Sequence, residues 1–223
     1  MHAYEGKHRM FVISADQKSS RTTQDLVGQW RDLLNDEYAA RLTLPADRNA
    51  GDEIQVLTDD AGTVLEIALR LARNGSWSVG IGVGGVRRPL PAETREASGP
   101  AFNAARDAVT DAKKRPTRFA VRADGAKESA EAWPNSGDAQ NVIDLLLEVR
   151  KKRSDQGWEL HDILEETRTQ AEAARILGIT AAAASERASA AALKIERQSL
   201  PTIVRLLENL DRIAGSTDTK EHP

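Results

Sequence analysis

The alternation of apolar and polar positions changes period along the chain, and each change predicts an element. From Arg9 to Ala15, RMFVISA is a continuous apolar run of β-favouring residues and predicts a buried strand that ends at Asp16. A polar turn, QKSSR, follows. The stretch TTQDLVGQWRDLLNDEYAA then places Leu26, Trp30, Leu33 and Leu34 at helical spacing, with Thr22 or Thr23 as N-cap. ARLTLPAD and DEIQVLT flank RNAG and are short and partly alternating, which predicts a β-hairpin turning at Asn49 to Gly51. AGTVLEIALRLAR carries Val64, Leu65, Ala68, Leu69 and Ala72 on one helical face. SWSVGIGVGG reads as a strand so rich in glycine that something else must approach its backbone closely. Beyond the loop VRRPLPAETREASGP, AFNAARDAVTDAKKR is a helix stopped by Pro116, and TRFAVRA is a further strand.

The order strand, helix, hairpin, helix, strand, helix, strand predicts an α/β (α+β) domain whose helices cover one antiparallel or mixed sheet, with a ferredoxin-like order. Past Asp124 the β signals end. KESAEAWPNSGD predicts a short helix broken at Pro134 and Gly137, and NVIDLLLEVRKKR, WELHDILEE, TQAEAARIL, TAAAASERASAAAL and LPTIVRLLENLDRIA predict helices joined by short turns. The expected division is an α/β domain over 1–135, a helical domain over 136–214 and a disordered polar tail over 215–223.

Composition narrows the chemistry. The chain of 223 residues has no cysteine, so any metal must sit on oxygen or imidazole, and the chain suits a reducing, cytoplasmic setting. His2, His8, His161 and His222 lack metal-ligand spacing, so zinc is not expected. No apolar run is long enough to cross a bilayer, and no membrane partner is expected. The formal net charge of -3 gives no whole-molecule attraction to nucleic acid; DNA binding would need a local patch.

The candidate site lies where the acids fall. Asp16 closes the first strand, and Asp52 with Glu53 follows the hairpin turn at Gly51. If these strands are neighbours, the carboxylates converge as hard oxygen donors for Mg²⁺ or Mn²⁺, with phosphates of a nucleotide completing the shell. Lys18, Ser19, Ser20 and Arg21, opening the first helix, could cradle those phosphates, with Gly51 in the hairpin turn a further candidate nucleotide contact.

The residues RNAGDEIQVL resemble the GGDEF hairpin of diguanylate cyclases and the metal hairpin of class III nucleotidyl cyclases, with the strand ending in ADQKSSR in the corresponding place. The resemblance implies metal ligation by Asp16 and Asp52, with Glu53 beside them. The layout ISADQKSSR, AGDEIQVL, WSVGIGVGGVRRPLP, SGPAFNAAR and TQAEAARILGIT also resembles the SatD-like family, which implies a cyclase-like part followed by a helix-turn-helix segment and a role in transcription regulation. Class III cyclases set an asparagine and an arginine four positions apart; here Asn103 and Arg106 are three apart. Nucleotide binding is therefore expected more than turnover.

TQAEAARILGITAAAASERASAA has the parts of a two-helix elbow: a capping box from Thr169 to Glu172, Gly178 at the turn, Ile179 filling it and Thr180 capping the second helix. Read as a DNA-binding helix-turn-helix, its contacts would come from Arg168, Thr169, Gln170, Thr180, Ser185, Arg187 and Ser189, with phosphate grip from Arg175 and the run Arg150, Lys151, Lys152, Arg153. The second helix offers few base-reading side chains. The leading expectation is a homodimeric regulator that binds double-stranded DNA and a nucleotide ligand. The alternatives are a metal-dependent nucleotidyl-transfer enzyme governed by its helical part, and a protein–protein adaptor.

Overall fold

The computed structural model describes residues 10–18, 24–49, 51–124, 134–167 and 169–216, with side chains as far as 210. The short helix expected after Asp124, as far as residue 133, the caps Thr22 and Thr23 and most of the polar tail lie outside these residues; the break expected at Gly137 is not found, because Gly137 sits in the first turn of a helix that begins at Ser136. The fold is mixed α/β, and the chain divides into two compact units, Met1–Val142 with Val204–Pro223 and Ile143–Ile203.

In the first unit, β1 (Met10–Gln17), β2 (Leu44–Arg48), β3 (Glu53–Thr58), β4 (Trp77–Gly84) and β5 (Phe119–Ala123) form one sheet in the order β2-β3-β1-β4-β5. β1 is antiparallel to both β3 and β4, β2 is antiparallel to β3, and β5 runs parallel to β4. β1 is central and buried on both sides, which is why its MFVI stretch is a continuous apolar run rather than an alternating one. α1 (Val27–Tyr38) and α2 (Ala61–Asn74) form a layer on one face: Trp30 of α1 meets Trp77 edge-on, with ring centroids 6.0 Å apart, and the Tyr38 hydroxyl donates to Glu66 of α2. α1 starts later than its sequence pattern predicts. Its first turn takes a cap from Asp25, whose Oδ1 accepts from Val27 N at 2.9 Å. Asp60 caps α2 in the ordinary way, accepting from Thr63 N.

α3 (Pro100–Ala112) lies on the opposite face, directly against the glycines of β4. A Cβ on Gly80 would stand 2.2 Å from Val109 N, and one on Gly82 2.2 Å from Ala101 O and Ala105 N. The element that approaches the glycine-rich strand is thus the backbone of α3, whose own contact face is Ala101, Ala105, Ala108 and Ala112. Both outer strands are closed by side-chain amides. Asn35 of α1 exchanges two hydrogen bonds with Ala46 of β2 at 2.7 and 2.9 Å. Gln140 of α4 (Ser136–Lys151) accepts from Val121 N of β5 at 2.8 Å and donates to Phe119 O at 3.3 Å.

In the second unit, α5 (Asp155–Glu166), α6 (Gln170–Ile176) and α7 (Ala181–Ala190) pack pairwise on one another. Ser154, Thr169 and Thr180 cap them, each hydroxyl accepting a backbone N–H three residues on. α8 (Leu193–Ser216) begins seven residues before the position that Leu200 and Pro201 suggest, and runs through Pro201. Pro201 leaves the Arg197 carbonyl without its helical donor, and both residues are exposed, so water can serve that carbonyl.

Arg150, Arg153 and Glu196 hold the N-terminal part of α8. Glu196 is buried and takes ion pairs from both guanidinium groups, which also stack on Trp158 at 4.8 and 4.3 Å from its ring centroid. This corrects the reading of 150–153 as a basic patch. Arg150 and Arg153 are core residues, and Lys151 and Lys152 alone of that run are exposed.

Candidate functional site

The site is built from the sheet register. Asp16 pairs with Glu53 on one side and Ser78 on the other, so these three side chains leave the sheet on the same face, the face that α3 covers. Directly opposed antiparallel residues have Cβ atoms about 5 Å apart, which sets the two carboxylates side by side. Two like charges at that separation repel unless a cation or a set of donors stands between them. Lys113, just past the end of α3, supplies the first: its Nζ donates to Asp16 Oδ2 at 2.6 Å. Glu53 has donors instead, its Oε1 accepting from Gln55 at 3.1 Å and Asn49 at 3.3 Å.

Around this pair the end of the sheet is polar. Ser78 is buried and accepts from the Arg118 guanidinium at 2.7 and 3.1 Å, while Arg118 Nη1 donates to the Lys113 carbonyl. Arg118 sits at φ 53, a left-handed conformation that a non-glycine residue adopts only when its surroundings hold it there. Ser14, two residues inward from Asp16 on the same face, is fully buried, and its hydroxyl has no hydrogen-bond partner.

The hairpin turn behaves as its sequence suggests. Asn49 N donates to Glu53 O, closing the loop in which Gly51 takes φ 73. Asp52 follows in that turn, and its main-chain carbonyl accepts from Gln17 N at 3.0 Å, so Asp52 adjoins the end of β1 through its backbone. The residue directly across the ladder from Asp16 is Glu53. Among the described residues, no three His, Asp or Glu side chains gather into a group able to hold a metal by themselves. Two carboxylates remain, with hard oxygens suited to an octahedral cation whose other positions go to water or phosphate.

The other expected nucleotide contacts scatter. Ser19, Ser20 and Arg21 lie outside the described residues. Lys18 donates from Nζ to Gly75 O at 2.6 Å, a cation placed on the C-terminal cap of α2. Asn103 and Arg106 are exposed on α3, away from its alanine face. Asn103 is ten residues from Lys113, about 15 Å along a helix axis, and so it lies toward the far end of α3 from Asp16. The structure places Lys113, Arg118, Ser78, Asn49 and Gln55 around the acids instead. A signal for Lys113 existed in the run KKR that ends the helix before Pro116, but nothing local tied that run to a strand 97 positions earlier.

In the second unit the α6–α7 elbow has Gly178 at φ 65, and Ile179 N donates to Ala174 O across it. Thr169 and Thr180 spend their hydroxyls on capping. Gln170, Ser185 and Ser189 are exposed, whereas Arg187 is partly covered and paired with Glu159 of α5 at 3.3 Å. Arg168 lies outside the described residues. The exposed side of α7 is Ala181, Ala182, Ser185, Glu186, Ser189 and Ala190. It carries one acid and no base. Large apolar side chains stand exposed elsewhere in this unit, at Leu145, Val149, Ile176 and Ile195. Among the described residues, no helix is long and apolar enough to cross a membrane.

Compared with protein-family models, with curated proteins and with solved structures, the chain shows no match.

Proposed function

We propose that the protein is a nucleotide-responsive regulator: a ferredoxin-like, cyclase-type sheet binds a nucleoside phosphate with Mg²⁺ or Mn²⁺, and a helix-turn-helix in the second unit contacts double-stranded DNA as a homodimer. The observation that carries the reading is the Asp16–Glu53 pair, opposed in the central ladder, with Lys113 on Asp16 and Arg118 on the adjoining Ser78. A cation for the carboxylates and bases for the phosphates are what a metal–nucleotide complex needs at one sheet end. The β-α-β-β-α-β order with strands β2-β3-β1-β4 supports the ferredoxin-like assignment, and the capped α6–α7 elbow supports the helix-turn-helix. The likeness to SatD-like proteins belongs to the same proposal. Binding without cyclase turnover fits best, because Asn103 lies toward the other end of α3 from the carboxylates and Arg106 is exposed at its middle.

The test is calorimetric titration of the full chain with ATP and GTP in the presence of Mg²⁺, repeated on Asp16→Asn and Glu53→Gln. Each substitution removes one hard anionic ligand and is expected to weaken metal-dependent binding about tenfold or more. Equal affinity in the wild type and both variants would sink the site. Electrophoretic shift with double-stranded DNA, with and without the nucleotide, tests the second half of the reading.

A second reading, a protein–protein adaptor, is favoured by one observation: the exposed side of α7 consists of alanines, serines and Glu186, a surface poor in the arginine, lysine, asparagine and glutamine that read base edges. Absence of any DNA shift at low salt would put this reading first.

A further inference from the structure

Lys113 does more than decorate the candidate site. Its ammonium touches Asp16, whose neighbour across the ladder is a second carboxylate, while its side chain is 44% exposed and emerges just beyond the last turn of α3. A long, flexible cation on a mostly covered acid is a contact that can be made and unmade without disturbing the sheet. On the same face, the buried Ser14 hydroxyl has no partner, although Gln55, which bonds Glu53, stands directly across the ladder from it. Buried hydroxyls are ordinarily satisfied, so this one is an unspent polar atom on the carboxylates' own face of the sheet.

We propose that Lys113 is a tethered stand-in for the divalent cation: it neutralises Asp16 in the ligand-free protein, yields that carboxylate to the incoming metal, and then turns to the phosphates that the metal carries. This rests on the metal–nucleotide reading of the Asp16–Glu53 pair. The charge arithmetic favours the exchange. With Lys113 in place, Asp16 and Glu53 together keep one net negative charge; a divalent ion would bring the cluster to a surplus of positive charge, and a polyphosphate is the partner that cancels it. Metal alone is therefore opposed by Lys113, whereas metal with phosphate is assisted by it. The lysine makes the site respond to the complex rather than to the free ion.

The two effects have opposite signs, which a merely structural lysine would not produce. In full-length Lys113→Met, which keeps the aliphatic stem, Mn²⁺ alone should bind about three- to fivefold more tightly, as expected on losing a part-exposed competing cation. Mg²⁺–tripolyphosphate should bind about tenfold more weakly, because a charge-assisted contact to phosphate is gone. Lys113→Arg should keep both affinities within about twofold of the wild type, since the charge remains. Electron paramagnetic resonance reads the Mn²⁺ titration and calorimetry the tripolyphosphate one, with circular dichroism showing that each variant is folded. If Mn²⁺ binding is abolished by Asp16→Asn but unchanged in Lys113→Met, the metal site stands and the role given to Lys113 is overturned. Mn²⁺ binding that is unaffected by Asp16→Asn overturns the site itself, and the role of Lys113 with it. A parallel loss of both affinities in Lys113→Met marks the lysine as a structural support and equally ends the proposal.

Discussion

Glu196 is the residue on which the second unit most depends. Burial pushes its pKa up, but the attraction of Arg150 and the hydrogen bond and charge of Arg153 outweigh that and hold it below the ordinary value near 4.5. A carboxyl depressed in this way contributes stability that is fully present above about pH 4.5 and is lost as the pH falls through the folded-state value. Glu196→Gln should cost about 3 to 5 kcal/mol, because it leaves two buried guanidinium groups without a counter-charge. Far-UV circular dichroism in urea would show it. The wild type should lose stability as acid is added below pH 4.5, and the variant should have lost the same increment already at neutral pH. A variant as stable as the wild type would mean that water, not Glu196, compensates the arginines. The sequence held part of this. Ile143, Leu146, Leu147 and Arg150 fall on one helical stripe, which is compatible with a buried Arg150, but a run of four bases reads first as a solvated patch, and Arg153 lies past the end of α4. The partner that reverses that reading, Glu196, is 43 residues from Arg153 and invisible to local pattern.

Among the elements, β4 and α3 show most directly how residue choice sets distance. Glycine at 80 and 82 and alanine at 101, 105 and 108 let a helix backbone come down onto a strand. Gly82→Ala should be among the most damaging single substitutions in the first unit, about 3 kcal/mol or more, since its methyl meets backbone atoms of α3 that cannot move aside as side chains do. Thermal unfolding measures this, and Gly51→Ala serves as a comparison in which the cost should come from the φ of 73 alone, with open space around the added Cβ. That something approached this strand was readable from its glycines. Which element did so was not, because alanine spacing in AFNAARDAVTDA marks a close-packed face without naming its partner. Pro201 is the opposite case: its sequence signal, a helix start, is genuine in general, yet the α8 segment before it is secured by Glu196, and the helix passes through.

For the whole molecule, strand and helix order along the first unit was legible because each element has its own period, and the single central sheet follows from a β1 that is apolar at every position from Met10 to Ile13. The candidate site was legible only as a pair of sequence positions. Pairing register decided that Glu53 faces Asp16, and the fold of α3 back over the sheet brought Lys113 to it. Neither is a local property. The two amides at the borders of the sheet have a consequence for how the protein behaves in company. An unpaired outer strand is a template on which a stranger's strand can grow, and sheets that leave one open invite polymerisation. Here Asn35 and Gln140 act as end-stops at Ala46 and Val121, so copies of this chain should meet through their helices and not by extending one sheet into the next. Gln140→Met keeps the bulk and removes the end-stop; the prediction is that this variant, held a few degrees below its unfolding midpoint, forms thioflavin-binding aggregates while the wild type stays clear in light scattering, and equal clarity of the two would show that the border of β5 is protected by something other than that amide.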